Sequence, residues 1–329
     1  MTEFPHRQSA HCESGVVANM VSHGGLMMSE PMAFGLSSAL TFAYMPMIKM
    51  AGMPLIAYRM PPGHIIKGVA KQLGMRWRRR TFSDADAGMA ALDAELDKGR
   101  IVGLQTCVYW LPYFPEDMRF HFNAHNLVVY GRDGDDYLIS DPVFEGPVRC
   151  DAASLRKARF AKGAMAAKGM MYDPEGTPRE IDYAVAVPKA VRMNRRIMVG
   201  APLPIIGVKG IRFLGRNIAK VAAGPDAATK LPLYLGHIVR MQEEIGTGGA
   251  GFRFLYASFL QEAGKLLDRA DLQDASGALT EAGDEWRRFA LEATKMARGR
   301  SKLDIKALDA QLNKIADMEL AMWQGLKGV

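Results

Sequence analysis

Residues 121–142 read HFNAHNLVVYGRDGDDYLISDP. Two apolar runs, 125–131 and 136–140, flank a polar Arg-Asp-Gly-Asp, the pattern of a β-hairpin. Asp133-Gly134 marks the turn, because glycine tolerates the positive φ that tight hairpins need. Two registers are open. In a three-residue loop over Arg132–Gly134, Gly131 pairs with Asp135, and His125 then faces Asp141 on one side of the sheet. In a two-residue turn Asn126 pairs with Asp141, and the His125 and Asp141 side chains take opposite faces. The first register sets an imidazole against a carboxylate, the base and orienting group of a catalytic triad.

The nucleophile that such a pair would serve lies upstream. Glu13 to Ser22 predicts a helix with Val16, Val17, Met20 and Val21 on one face, ended by Gly24-Gly25. Cys12 then sits at the helix N-terminus, where unpaired N–H groups and the helix dipole favour a thiolate. The same N–H groups can hold an oxyanion. A buried, inert cysteine is the alternative. The next segment, MSEPMAFGLSSALTFAYMP, suits either core packing or an apolar pocket.

Further along, 54–60 reads as a short strand and 63–73 as a helix. MRWRRRTF (75–82) reads as an edge strand guarded by Arg76, Arg78, Arg79 and Arg80, a positive patch that can also receive an acidic protein or a phosphate. Ser83 predicts the cap of an Ala-rich helix over 84–98, ended by Gly99. Residues 101–110 form an apolar strand in which Cys107 is core. The aromatic loop LPYFPEDMRFHF leads into His125 and walls the site. His121 and His125 have no third ligand at zinc spacing, so no metal site is expected.

At this point the residues resemble a known family. HCESGVVANMVSHGG, and then LPYF…HFNAHNLVVYGRDGDDYLISDP, resemble the N-terminal domain of the butirosin-biosynthesis H-type acyltransferases. That domain is similar to papain-like and C39-type cysteine peptidases, which share the order Cys, His, Asp. GFRFLYASFLQEAGKLL and GDEWRRFA resemble the helical domain of unknown function that accompanies it. The resemblance implies an α+β papain-like domain over 1–190 and a mainly helical domain over 191–329. It implies transfer of an acyl group from an acyl-carrier-protein or coenzyme A thioester to an amine, with Cys12 as nucleophile, His125 as base and Asp141 as orienting carboxylate. Papain-like enzymes draw an oxyanion donor from a glutamine upstream of the cysteine. Gln8 takes that place here, beside the backbone N–H of Cys12.

The chain has 329 residues, 49% hydrophobic and 23% charged, enough for two domains. Cysteines 12, 107 and 150 show no CxxC spacing. An odd count without a signal peptide points to a reducing cytoplasm. No run of about 18 apolar residues predicts a membrane helix. The net charge of +7 suits an acidic partner. The basic residues are scattered and no nucleic-acid motif appears, which argues against nucleic-acid binding.

In the C-terminal half, 151–159 predicts a short helix and IDYAVAV (181–187) a last strand of the first domain. The beginning of the Pro- and Gly-containing stretch 188–230 reads as the inter-domain connection. From about 231 the period turns helical. Leu255, Phe259, Leu266 and Leu267 mark one face. Trp286, Phe289 and Ala290 mark a second, and Leu308, Leu312, Ile315 and Met322 a third. Such helices build a small bundle that can cover the site or mediate dimerisation. Between two of them, GTGGAGFR (246–253) offers Gly248, Gly249 and Arg253 to a phosphate such as that of phosphopantetheine; a plain flexible connection is the alternative. Tightly bound cofactors are not expected. The rival functions are a cysteine peptidase or amidase using the same three residues, and a non-catalytic protein that binds a lipid-like ligand.

Overall fold

The computed structural model describes residues 4–50, 52–176 and 178–329. In chain order the helices and strands are α1 (Cys12–His23), α2 (Glu30–Leu36), β1 (Leu40–Met50), β2 (Met53–Arg59), α3 (His64–Gln72), β3 (Arg76–Arg80), α4 (Ala85–Leu96), β4 (Val102–Thr106), β5 (His125–Asp133), β6 (Asp136–Ser140), β7 (Val148–Asp151), α5 (Ala152–Arg159) and β8 (Met171–Glu175). Then follow α6 (Tyr183–Met198), α7 (Gly207–Ala222), α8 (Ala227–Val239), α9 (Arg253–Leu266), α10 (Ala270–Ala297) and α11 (Ile305–Gly325). The chain divides into two compact units, Met1–Ala33 with Pro62–Ile181, and Phe34–Pro61 with Asp182–Val329. The fold is α+β, with a helical C-terminal region.

This division differs from a single cut at residue 190. The β1–β2 hairpin belongs with the C-terminal helices, because its aromatic residues pack among them. Phe42 stacks on Trp286 at 5.8 Å, Tyr58 meets the same indole edge-on at 5.6 Å, and Tyr44 contacts Phe213 at 5.6 Å. IDYAVAV is likewise not a strand. Asp182 caps α6 by accepting the Val185 N–H, and the buried positions Ala186, Val187, Ala190, Val191, Asn194 and Met198 follow a helical period. That period shows only when the window runs past Pro188, which lies inside the helix.

In the first unit a six-stranded antiparallel sheet has the order β3-β8-β4-β5-β6-β7. One face carries Val102, Leu104, Leu127, Val129, Ile139 and Met171, buried against Leu92 of α4 and Leu155 of α5. Each such side chain contributes about 1.5–3 kcal/mol by leaving water. Helix α1 packs against β5, and its residues 13–21 are all buried. β3 lies at the edge, as its basic composition predicts. Alternation splits its arginine run. Arg78 and Arg80 turn to Glu95 and Asp173 (Arg78 at 2.9 and 2.7 Å), whereas Trp77 and Arg79 take the other face. Burial alone would raise the Glu95 carboxyl, yet Lys98, Arg78 and Arg80 hold it below the usual range.

The β5–β6 register matches neither open alternative. The turn is Gly134-Asp135, with Gly134 at φ 60°, and Asp133 pairs with Asp136. A bulge between Val129 and Gly131 then leaves Tyr130 unpaired, so that Val129 opposes Ile139 and Val128 opposes Ser140. Continuing this register sets Asp141 opposite Leu127, diagonal to His125 and on its face. Without the bulge every residue beyond it would flip, and the two side chains would part.

The second unit is organised around Arg253 at the start of α9, fully buried. Its guanidinium forks onto Glu319 of α11 (2.9 and 3.1 Å) and donates to the Gly251 and Thr41 carbonyls. It lies over the Tyr58 and Trp286 rings, and the Trp286 indole N–H donates to Glu319 at 2.7 Å. Removing one charge strands the other in a dry core. Glu319→Ala should therefore cost about 3–5 kcal/mol, read as a lower urea midpoint at unchanged slope, and an Arg253→Met/Glu319→Leu double variant should recover most of that loss.

Candidate active site

Cys12 is the first residue of α1 and, of the three cysteines, the partly exposed one; Cys107 and Cys150 are buried. The segment entering the helix is held from both sides. Glu30 accepts the N–H groups of Ala10 (2.8 Å) and His11 (2.7 Å) and the Ser14 hydroxyl (2.9 Å). Burial pushes the Glu30 carboxyl up, against the pull of those three donors. The His11 imidazole caps the helix by accepting the Ser14 N–H, and the Gly15 N–H donates to the His11 carbonyl. The Cys12 N–H, with no acceptor inside its own helix, is the donor left beside the sulfur. Glu13, the next residue, accepts the Ile65 N–H at 3.0 Å and so sits at the N-terminus of α3, where a carboxylate is favoured.

His125 Nε2 stands 2.7 Å from Asp141 Oδ2, and Cys12 lies close enough to act on the imidazole together with that carboxylate. With Nε2 engaged by the carboxylate, Nδ1 is left for the sulfur. Burial alone would lower the imidazole, but the Asp141 charge and hydrogen bond, joined by Cys12, raise it to about 10. The ring therefore holds its proton through neutral pH and faces the Cys12 sulfur as an imidazolium. Asp141 is fully buried and accepts two further donors, the Tyr113 hydroxyl at 2.9 Å on Oδ2 and the Val143 N–H at 3.1 Å on Oδ1. Burial and the adjacent Asp141 charge hold the Tyr113 phenol well above its ordinary value, so it remains a donor. The Phe114 ring meets His125 edge-on at 5.5 Å. Gly15 is required by closeness: a Cβ there would lie 2.6 Å from Ser9 and 2.7 Å from Pro142, the residue after Asp141.

The structure thus brings Cys12, His125 and Asp141 together. Tyr113 and Glu30 were not singled out from the sequence. Tyr113 lies in LPYF, legible only as an aromatic wall, and Glu30 is one acidic residue in an apolar segment. Gln8 is exposed and its amide donates to the Val143 carbonyl at 3.2 Å. The glycine loop does not offer Arg253 to a ligand, because Glu319 and two carbonyls consume its donors. The loop accepts the chain's own carboxylate instead. The Ala250 N–H donates to Glu243 at 3.2 Å and the Gly249 N–H to the Thr247 hydroxyl, while Gly248 bends the backbone between them.

In the first unit a buried helix carries a cysteine at its N-terminus and packs on an antiparallel sheet whose strand β5 supplies a histidine and whose strand β6 leads into a carboxylate. Residues 11–142 match the family described as butirosin biosynthesis protein H, N-terminal, and residues 153–326 match the domain of unknown function DUF4872. The DUF4872 match spans more than half of the chain, which belongs to that family, and the butirosin biosynthesis protein H match lies in its N-terminal part. Among solved structures, a protein from Bacillus anthracis described as a C39-like peptidase is similar at 15% identity and a TM-score of 0.36, over 53% of this chain and 96% of that one. No curated protein matches the chain. Among the described residues no helix is long and apolar enough to cross a membrane.

Asp141 is what raises the imidazole, so Asp141→Asn should move the His125 titration from about 10 towards the ordinary 6.5, measured by NMR on histidine-labelled protein. The stability linked to this raised value is fully present below 6.5 and is lost as pH rises through about 10. Wild type should then lose more stability than Asp141→Asn between neutral pH and pH 10.

Proposed function

We propose that this protein is a thiol-dependent acyltransferase that carries an acyl group from a carrier-protein or coenzyme A thioester, through an acyl-Cys12 intermediate, to an amine. The observation that carries the reading is the relay of Cys12, a raised and protonated His125, and a buried Asp141. Together they supply a nucleophile, an acid–base group and a fixed ring orientation. The match to a butirosin biosynthesis domain supports a biosynthetic rather than a digestive role.

The Cys12 sulfur attacks the thioester carbonyl carbon, and the carbonyl oxygen takes up negative charge beside the Cys12 N–H at the helix N-terminus. When the tetrahedral adduct collapses, the donor's C–S bond breaks and the His125 imidazolium protonates the departing thiolate. His125 is now neutral. It accepts a proton from the incoming amine as the nitrogen attacks the acyl-Cys12 carbonyl. The Cys12–acyl bond then breaks, an amide leaves, and the thiolate–imidazolium pair is restored. Throughout, Asp141 fixes the tautomer, and Tyr113 and the Val143 N–H keep the carboxylate in place.

Intact-protein mass spectrometry tests the mechanism. Wild type incubated with acyl thioesters should gain the mass of one acyl group, Cys12→Ala should gain none, and an added primary amine should discharge the adduct as an amide. An adduct released to water at the same rate with and without amine would identify a hydrolase. Full turnover by Cys12→Ala would refute the mechanism.

A further inference from the structure

The first unit contains a cavity of about 310 Å³ that the reacting residues do not use. Its walls are apolar: Ile66 and Ala70 of α3, Met75, Trp77 of β3, Met170 and Tyr172 of β8. Its mouth is basic. Lys67 and Lys71 line it one helical turn apart, and Arg79 joins them from β3, with its Nε turned to the Met170 sulfur at 2.9 Å. Among the described residues no carboxylate pairs with Lys67, Lys71 or Arg79, in contrast to Arg78 and Arg80 across the same strand. Gln105 also lines the cavity, with its amide donating to the Asn123 and Met165 carbonyls. The Trp77 indole N–H is closed to the cavity, so the ring contributes an apolar surface to the wall.

Tyr172 connects this cavity to the reacting groups. Its hydroxyl donates to Asn126 Oδ1 at 2.9 Å, and Asn126 neighbours His125 in β5. Burial holds the phenol well above its ordinary value, so it remains a donor.

A ligand that satisfies the cavity has an anion at one end and an apolar body. We propose that the cavity binds the phosphopantetheine arm of the thioester donor. The phosphate lies at Lys67, Lys71 and Arg79, and the branched methyl groups lie against Ile66, Met75 and Met170. The choice of ligand rests on the acyl-transfer reading, while the site rests on the cavity itself. The glycine loop at 246–253, which already holds Glu243, is relieved of the phosphate role.

Calorimetric titration of Cys12→Ala protein with 4′-phosphopantetheine tests the site without covalent chemistry. Saturable binding is expected. It should weaken about 10–100-fold for pantetheine, which lacks the phosphate, and similarly for a Lys67→Ala/Lys71→Ala double variant. No binding, or binding indifferent to the phosphate and to the double variant, overturns the proposal. So does equal affinity for octanoate, which would make the cavity a simple fatty-acid site. An acyl N-acetylcysteamine thioester, which carries no phosphate, should acylate wild-type protein. Failure of that acylation would count against acyl transfer and leave the cavity untouched.

Discussion

The first unit depends on one buried carboxylate. Asp141 is fully removed from water, and an ionised group there is tolerated only when its oxygens are satisfied. Its three donors come from three places in the chain: His125 from the start of β5, Tyr113 from the aromatic loop, and the Val143 N–H from the turn after β6. Meeting them together locks the hairpin register, draws the aromatic loop over the imidazole and fixes which ring nitrogen is left for Cys12. The requirement of burial and the requirement of chemistry are met by the same contacts.

A second layer of carboxylates holds the backbone around Cys12. Glu30 gathers two backbone N–H groups and a hydroxyl just before and after Cys12, and Glu13 reaches across to the start of α3. Both satisfy donors that would otherwise be orphaned at helix entrances. The first turn of α1 is thereby held rigid, with the Cys12 N–H left over. The β3 arginines follow the same logic of alternation. Two are neutralised by Glu95 and Asp173, and the one on the opposite face stays available beside Trp77.

In the second unit the buried arginine serves the core. Arg253 and Glu319 bring α9 and α11 together beneath the Trp286 and Tyr58 rings, and the glycines before α9 let the backbone close around Glu243. A glycine-rich loop ahead of a helix is an anion site by its backbone geometry. Here the anion is the chain's own side chain.

Local patterns determined a good deal by themselves. The hairpin is legible in Asp133-Gly134 between two apolar runs, the helix that starts at Cys12 in the period of Val16, Val17, Met20 and Val21, and the edge position of β3 in its charge. These features need only near neighbours in sequence. The Cys, His and Asp constellation was legible as order and spacing, and the α+β character as the succession of periods. Tertiary structure decided what depends on partners far along the chain. The Tyr130 bulge sets the parity that brings Asp141 to the face of His125, and a one-residue irregularity leaves no mark in a period-two pattern. The aromatic residues of β1–β2 joined that hairpin to the C-terminal helices, against a simple cut in sequence. IDYAVAV became a helix because its capping aspartate and the buried positions beyond Pro188 outweigh local strand propensity. Arg253 was claimed by Glu319, and Tyr113 and Glu30 gained their roles, because a buried charge takes the nearest donor or acceptor in space, and sequence records no such distance.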